Sequence, residues 1–102
     1  MTKFAFIYRG GNRPEDGDAH MEKWRAWSTG LGKANIYPGM PFARSVTVSA
    51  KGESEGSGDI PMTGVTVIEA DTMDAALEHA KRCPHLDLGG EIVVAEGMEM
   101  PM

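Results

Sequence analysis

The closing third of the chain limits the fold most: Glu69-Ala70-Asp71 opens a short amphipathic segment that stops at Cys83-Pro84-His85 and resumes as an apolar run after Gly89-Gly90. Met73, Ala76, Leu77 and Ala80 share one side of a helical wheel, with Glu78 and Arg82 as an i,i+4 pair on the other. Asp71 is the expected N-cap, and Asp74 falls in the first turn, where the helix dipole favours a negative charge. Pro84 has no N–H to continue the helix, so the chain must leave it near Cys83. Glu91 to Glu96 then reads as a strand.

Upstream, Phe4, Phe6 and Tyr8 alternate with Ala5 and Ile7, the two-residue period of a strand with apolar groups on both faces. Gly10, Gly11 and Pro14 break it. From about Asp18 to Ala34, Met21, Trp24, Trp27 and Leu31 recur at helical steps, which predicts a helix whose last turn Gly30 and Gly32 weaken. Pro38-Gly39 and Pro41 predict an extended or turn segment. Ala43 to Ala50, rich in Val and Thr, reads as the second strand, Lys51 to Ser57 as a polar loop, and Gly64 to Ala70 as the third strand. The order is β-α-β-β-α-β, a single α+β domain of ferredoxin-like type with an antiparallel sheet over residues 1–102.

Two helices cover only one face of such a sheet, yet its strands carry apolar residues on both. A sheet with one wet face should alternate apolar with polar. A second copy of the chain is the simplest cover, so a homodimer is expected.

Composition narrows the partners. The formal charge is −5 and no Lys/Arg cluster is present, which argues against nucleic acid and anionic membrane surfaces. No apolar run approaches the ~20 residues a spanning helix needs, and Met1 to Arg9 is too short for a secretory signal, so a soluble cytoplasmic protein is expected. The one cysteine, Cys83, has no internal disulfide partner and reads as a buried small residue at a helix end. The three histidines lack HxxxH or HxH spacing, so neither a metal site nor a cofactor is expected.

These residues together resemble the YCII-related family, in particular its DGPF branch. The resemblance runs through Phe4-Ala5-Phe6-Ile7-Tyr8-Arg9-Gly10-Gly11, through His20-Met21 with Trp24 and Trp27, and through Val67-Ile68-Glu69-Ala70-Asp71. It closes on Cys83-Pro84-His85-Leu86 and Gly89-Gly90-Glu91-Ile92. It implies a dimeric α+β barrel, in which two ferredoxin-like sheets face each other. Relatives carry Asp-Gly-Pro-Phe where this chain has Asp59-Ile60-Pro61-Met62, and a His-Asp pair associated with acid/base work. His20 matches the His, while the Asp-Pro is here Cys83-Pro84.

The candidate site follows from residue chemistry. His20, one turn before Trp24, is the first choice for a general acid or base, with Asp59 to orient it from a loop. Arg9, in a glycine-rich turn, is a candidate clamp for a substrate carboxylate. Tyr37, before Pro38-Gly39, offers a phenol to a pocket or an interface; Trp24 is core first and pocket wall second; His85 stands in the turn before the last strand. The functional expectation is a small cytoplasmic enzyme doing acid/base chemistry, an isomerisation, elimination or hydrolysis, on a small organic acid. The alternatives are a non-catalytic dimer that binds a small-molecule ligand, and an interaction module using Lys51 to Gly58 and the Met-rich tail from Met98 to Met102.

Overall fold

The computed structural model describes residues 1–99. Strand β1 spans Thr2–Arg9, helix α1 Gly17–Leu31 followed by a 3-10 turn at Gly32–Ala34, and β2 Asn35–Pro41. Strands β3 (Val46–Ser49) and β4 (Gly52–Glu55) come next, then β5 (Met62–Ala70), helix α2 (Met73–Lys81), a 3-10 turn at Pro84–Leu88, and β6 (Glu91–Glu96). Four strands form one sheet in the order β2-β5-β1-β6, every neighbour antiparallel. With both helices following β1 and β5, this is the ferredoxin-like α+β arrangement.

The period of two in β1 and β5 divides the sheet's residues between its faces. Phe4, Phe6 and Tyr8 lie beside Ile68, Thr66 and Gly64 under the helices, where Phe4, Phe6, Ile68 and Thr66 are essentially sealed from solvent. Trp24, Trp27 and Met73 pack onto them from above. Each sealed large apolar side chain contributes about 1.5–3 kcal/mol. On the other face Ala5 pairs with Val67 and Ala95, and Ile7 with Val65 and Val93, all only half-buried or exposed. The molecule is a slab 18 Å thick, and its Cα radius of gyration of 14.7 Å exceeds the about 13 Å of a compact domain this long.

The middle of the chain departs from expectation. The sheet's second strand is Asn35–Pro41, the Pro-Gly segment expected to turn, and Ala43 to Ala50 contributes no strand to the sheet. β2 lies at the sheet edge and pairs with one neighbour only, so Pro38 and Pro41 deprive the ladder of little. Gly39, at φ +93, sits where a Cβ would fall 1.5 Å from the Val65 carbonyl oxygen, so only glycine lets this strand approach. Val46–Ser49 instead pairs with Gly52–Glu55, part of the stretch expected to be a loop. That hairpin is tied by an Arg44–Glu55 ion pair and a 2.7 Å bond from the Thr47 hydroxyl to the Gly56 carbonyl.

Helix ends also differ in detail. Asp16 caps α1, its side chain accepting from the Ala19 N–H, and Thr72, not Asp71, caps α2 by accepting from Ala75. A hydroxyl at the true N-cap reaches that amide, whereas Asp71 is one residue too early. Glu78 pairs with Lys81 rather than Arg82. Met21, expected on the inward stripe, is half exposed. Cys83 is buried, as read from its position. Met98 and Glu99 are exposed and outside any regular element, while residues 100–102 of the expected Met-rich tail lie outside the described residues.

Candidate functional site

A cavity of about 340 Å³ opens between α1 and the β2 edge of the sheet, lined by Tyr8, Met21, Trp24, Pro38, Met40, Pro41, Thr63, Thr66 and His85 with the backbone around Gly39 and Val65. It lies near the small end of the about 300–1,000 Å³ typical of small-molecule sites. Its walls follow from the fold. Tyr8 is the last apolar residue of the buried face of β1, Thr66 stands on the same face of β5, and Trp24 reaches down from mid-α1.

His85 is brought in by the stop that Pro84 imposes on α2. The 3-10 turn that follows tucks the imidazole into the protein, leaving it 6% exposed. Its Nε2 lies 3.0 Å from the Arg9 carbonyl oxygen. A carbonyl can only accept, so Nε2 carries the hydrogen and the neutral ring keeps its lone pair on Nδ1. Two glycines make room. A Cβ on Gly90 would stand 2.2 Å from Nε2, and one on Gly11 3.0 Å from Cε1.

The hydroxyls form a chain whose direction is forced. Thr66 Oγ1 is 3.1 Å from the Pro38 carbonyl, which can only accept, so Thr66 spends its one hydrogen there. It must then accept from Tyr8, whose Oη lies 2.7 Å away. Burial disfavours the charged phenolate, raising the Tyr8 pKa well above its ordinary value despite the Thr66 bond that opposes the shift. Cys83, in contact with Tyr8, is likewise pushed up by burial to about 11. Both groups are therefore neutral across the physiological range, and Cys83 is no thiolate nucleophile.

The expected site residues divide between two places. Trp24 and His85 line the cavity. His20 does not: it lies on the far side of Trp24, in a polar cleft of about 460 Å³ with Arg13, Glu15, Asp16, Lys23 and Asp87. There its Nε2 accepts the Trp24 Nε1–H at 2.8 Å, so its basic nitrogen is already engaged. Asp59 is exposed in the loop before β5, and no hydrogen bond or ion pair joins it to His20 among the described residues. The Arg9 guanidinium faces Glu91 at 3.8 Å; only its carbonyl serves the cavity wall. Tyr37 is exposed on the edge strand and lines none of these clefts. Glu91 takes Arg9 because β1 and β6 place the two directly opposite.

Tyr8 and Thr66 are the residues that sequence reasoning passed over. A tyrosine on the same strand face as Phe4 and Phe6 must bury its hydroxyl and find a partner, and a threonine amid Val65, Val67 and Ile68 is that partner's natural source. Trp24 joins the two clefts: its ring meets Tyr8 edge-on at 5.3 Å, its indole N–H reaches His20 at 2.8 Å, and Tyr8 in turn meets His85 at 5.3 Å. Among the described residues no group of His, Cys, Asp or Glu side chains gathers as a metal site. No helix among them is long and apolar enough to cross a membrane.

No family model matches the chain, and a search of curated proteins found no match. Among solved structures the chain is similar to the 5-chloro-2-hydroxyhydroquinone dehydrochlorinase of Burkholderia phenoliruptrix AC1100, in complex with 2,5-dihydroxybenzoquinone. The TM-score is 0.49 and the identity 20%, covering 94% of this chain and 95% of that one.

Proposed function

We propose that the chain is a small cytoplasmic enzyme of the YCII-related type that moves a proton on a small organic molecule held between α1 and β2, and that it works as a homodimer. The observation that carries this reading is His85. Its Nε2–H is fixed on the Arg9 carbonyl, which leaves Nδ1 as the basic atom of a buried ring on the cavity wall. When Nδ1 takes a proton from substrate carbon or oxygen, the imidazolium keeps its Nε2–H···O=C bond, so the positive charge forms beside an acceptor already in place. The base is then His85 rather than His20, whose Nε2 holds the Trp24 indole.

The dimer rests on the uncovered sheet face. Ala5, Ile7, Val65, Val67 and Val93 form a contiguous apolar surface on a slab 18 Å thick, and a second sheet would cover it. A second reading, a dimer that binds a ligand without turnover, is favoured by one observation: no carboxylate is among the residues lining the cavity to assist His85.

One experiment separates the two readings. The protein is incubated in D2O with a panel of small cyclic ketones and enols, and deuterium uptake at the acidic C–H is followed by NMR. Accelerated exchange that falls by about 10²-fold or more in His85→Gln supports proton transfer by His85. Exchange that survives this substitution overturns the role. Binding of panel members without any acceleration supports the non-catalytic reading, and light scattering on the same samples tests the dimer, which a monomer mass would refute.

A further inference from the structure

The cavity is polarised. Five side chains of its lining carry a hydrogen-bond donor, and each donor is aimed at the protein. Tyr8 donates to Thr66 at 2.7 Å, Thr66 to the Pro38 carbonyl at 3.1 Å, and Thr63 to the Tyr8 carbonyl at 3.3 Å. Trp24 donates to His20 at 2.8 Å, and His85 to the Arg9 carbonyl at 3.0 Å. What these side chains have left for a ligand is lone pairs: on the Tyr8 oxygen, on the Thr63 oxygen, and on His85 Nδ1. No Lys, Arg, Asp or Glu is among the lining residues. The remainder of the wall is Met21, Met40, Pro38, Pro41 and the indole of Trp24.

From this we infer that the cavity selects a neutral, mostly apolar molecule that presents a hydroxyl, rather than a carboxylate. The inference rests on the reading that this cavity is the functional site, and it replaces the organic acid expected from Arg9. A carboxylate is an acceptor only. With His85 neutral it would meet lone pairs without a cation, inside a protein whose formal charge is −5. Leaving those acceptors and the anion unmatched costs more than the apolar contacts recover. A hydroxyl instead donates to the Tyr8 oxygen or to His85 Nδ1 and brings no charge to desolvate. An organic cation has aromatic faces to meet but no counter-charge among the lining side chains. The direction of the hydroxyl chain is anchored at the Pro38 carbonyl, so turning the Tyr8 hydroxyl toward a ligand would break its 2.7 Å bond to Thr66. A site built around hydrogen-bonding one substrate group discriminates strongly against an analogue lacking it.

The test uses four probes of nearly equal size: cyclohexanol, methoxycyclohexane, cyclohexanecarboxylate and cyclohexyltrimethylammonium. Each is titrated into the full chain while the Trp24 indole and His85 ring signals are followed by NMR. Cyclohexanol is expected to bind about tenfold more tightly than either the ether or the carboxylate, the factor that about 1.4 kcal/mol of hydrogen bonding produces. In Tyr8→Phe that preference over the ether should shrink severalfold while ether binding holds. Tighter binding of the carboxylate or of the quaternary ammonium overturns the inference and leaves the cavity as the site. Failure of all four to perturb Trp24 or His85 overturns both this inference and the choice of site.

Discussion

The two clefts on either side of Trp24 use the same residue type in opposite ways. In the apolar cavity His85 is buried and donates through Nε2 to a backbone carbonyl; in the polar cleft His20 is half-buried and accepts through Nε2 from an indole. The first histidine keeps a lone pair on Nδ1, and the second has its lone pair engaged and its hydrogen on Nδ1. What distinguishes them is the partner that the fold delivers. A carbonyl at the end of β1 forces one tautomer, and a tryptophan one helical turn away forces the other. Nitrogen-15 shifts of the two rings read this contrast directly.

The largest effect is expected where the cavity is made impossible. A Cβ at Gly90 would overlap His85 Nε2 at 2.2 Å. Gly90→Ala therefore has to expel the imidazole from the Arg9 carbonyl. Overpacking and one lost buried hydrogen bond together predict a loss of about 3 kcal/mol in urea denaturation. The Nε2–H tautomer signal of His85 should vanish with it, while the His20 signal stays. Retention of both signals at native stability would mean that His85 is not confined as described.

A smaller effect appears at alkaline pH and again belongs to the cavity side. Cys83 ionises at about 11 in the folded protein against an ordinary 9.0, and Tyr8 is raised in the same sense. The unfolded chain loses the thiol proton first, so it binds fewer protons than the native state between these values. Stability contributed by the buried thiol is full below pH 9 and is lost as pH rises toward about 11. The slope is at most about 1.4 kcal/mol per pH unit for each group. Denaturation midpoints measured at pH 8, 9, 10 and 11 should show this decline, and Cys83→Ala should flatten it in the lower half of the window. An unchanged slope in Cys83→Ala would assign the decline elsewhere.

The fold was legible because its signals are local. Alternation in Phe4 to Tyr8 and Val65 to Ile68, the helical stripe through Trp24 and Trp27, and the Pro84 stop each depend on near neighbours, and together they determine the strand and helix order. The edge strand was not legible. Pro38, Gly39 and Pro41 have the composition of a turn, and only the vacant edge beside β5 makes them a strand. The hairpin from Val46 to Glu55 was half seen, as its valines mark one strand while its Gly-Ser-Glu partner resembles a loop. The site was the least legible part. His20, Arg9 and Asp59 are conspicuous by type, yet their partners are Trp24, Glu91 and solvent. Tyr8 and His85 meet across most of the chain's length, a proximity that no local pattern records.

The smallest effect is the one that isolates the polar cleft. In His20→Gln the side-chain carbonyl of glutamine still accepts the Trp24 Nε1–H, so stability should stay within about 0.5 kcal/mol of the parent. In His20→Ala that half-buried donor loses its partner, and about 1 kcal/mol should be lost. Neither substitution removes a group from the cavity wall. With the Trp24 hydrogen bond kept, His20→Gln should leave both the cyclohexanol preference and any deuterium exchange as they are in the parent. The Trp24 indole proton shift should move in His20→Ala and hold in His20→Gln. If His20→Gln instead abolished exchange with Trp24 unmoved, the proton would have to travel through the polar cleft, and the contrast between the two histidines would be reversed.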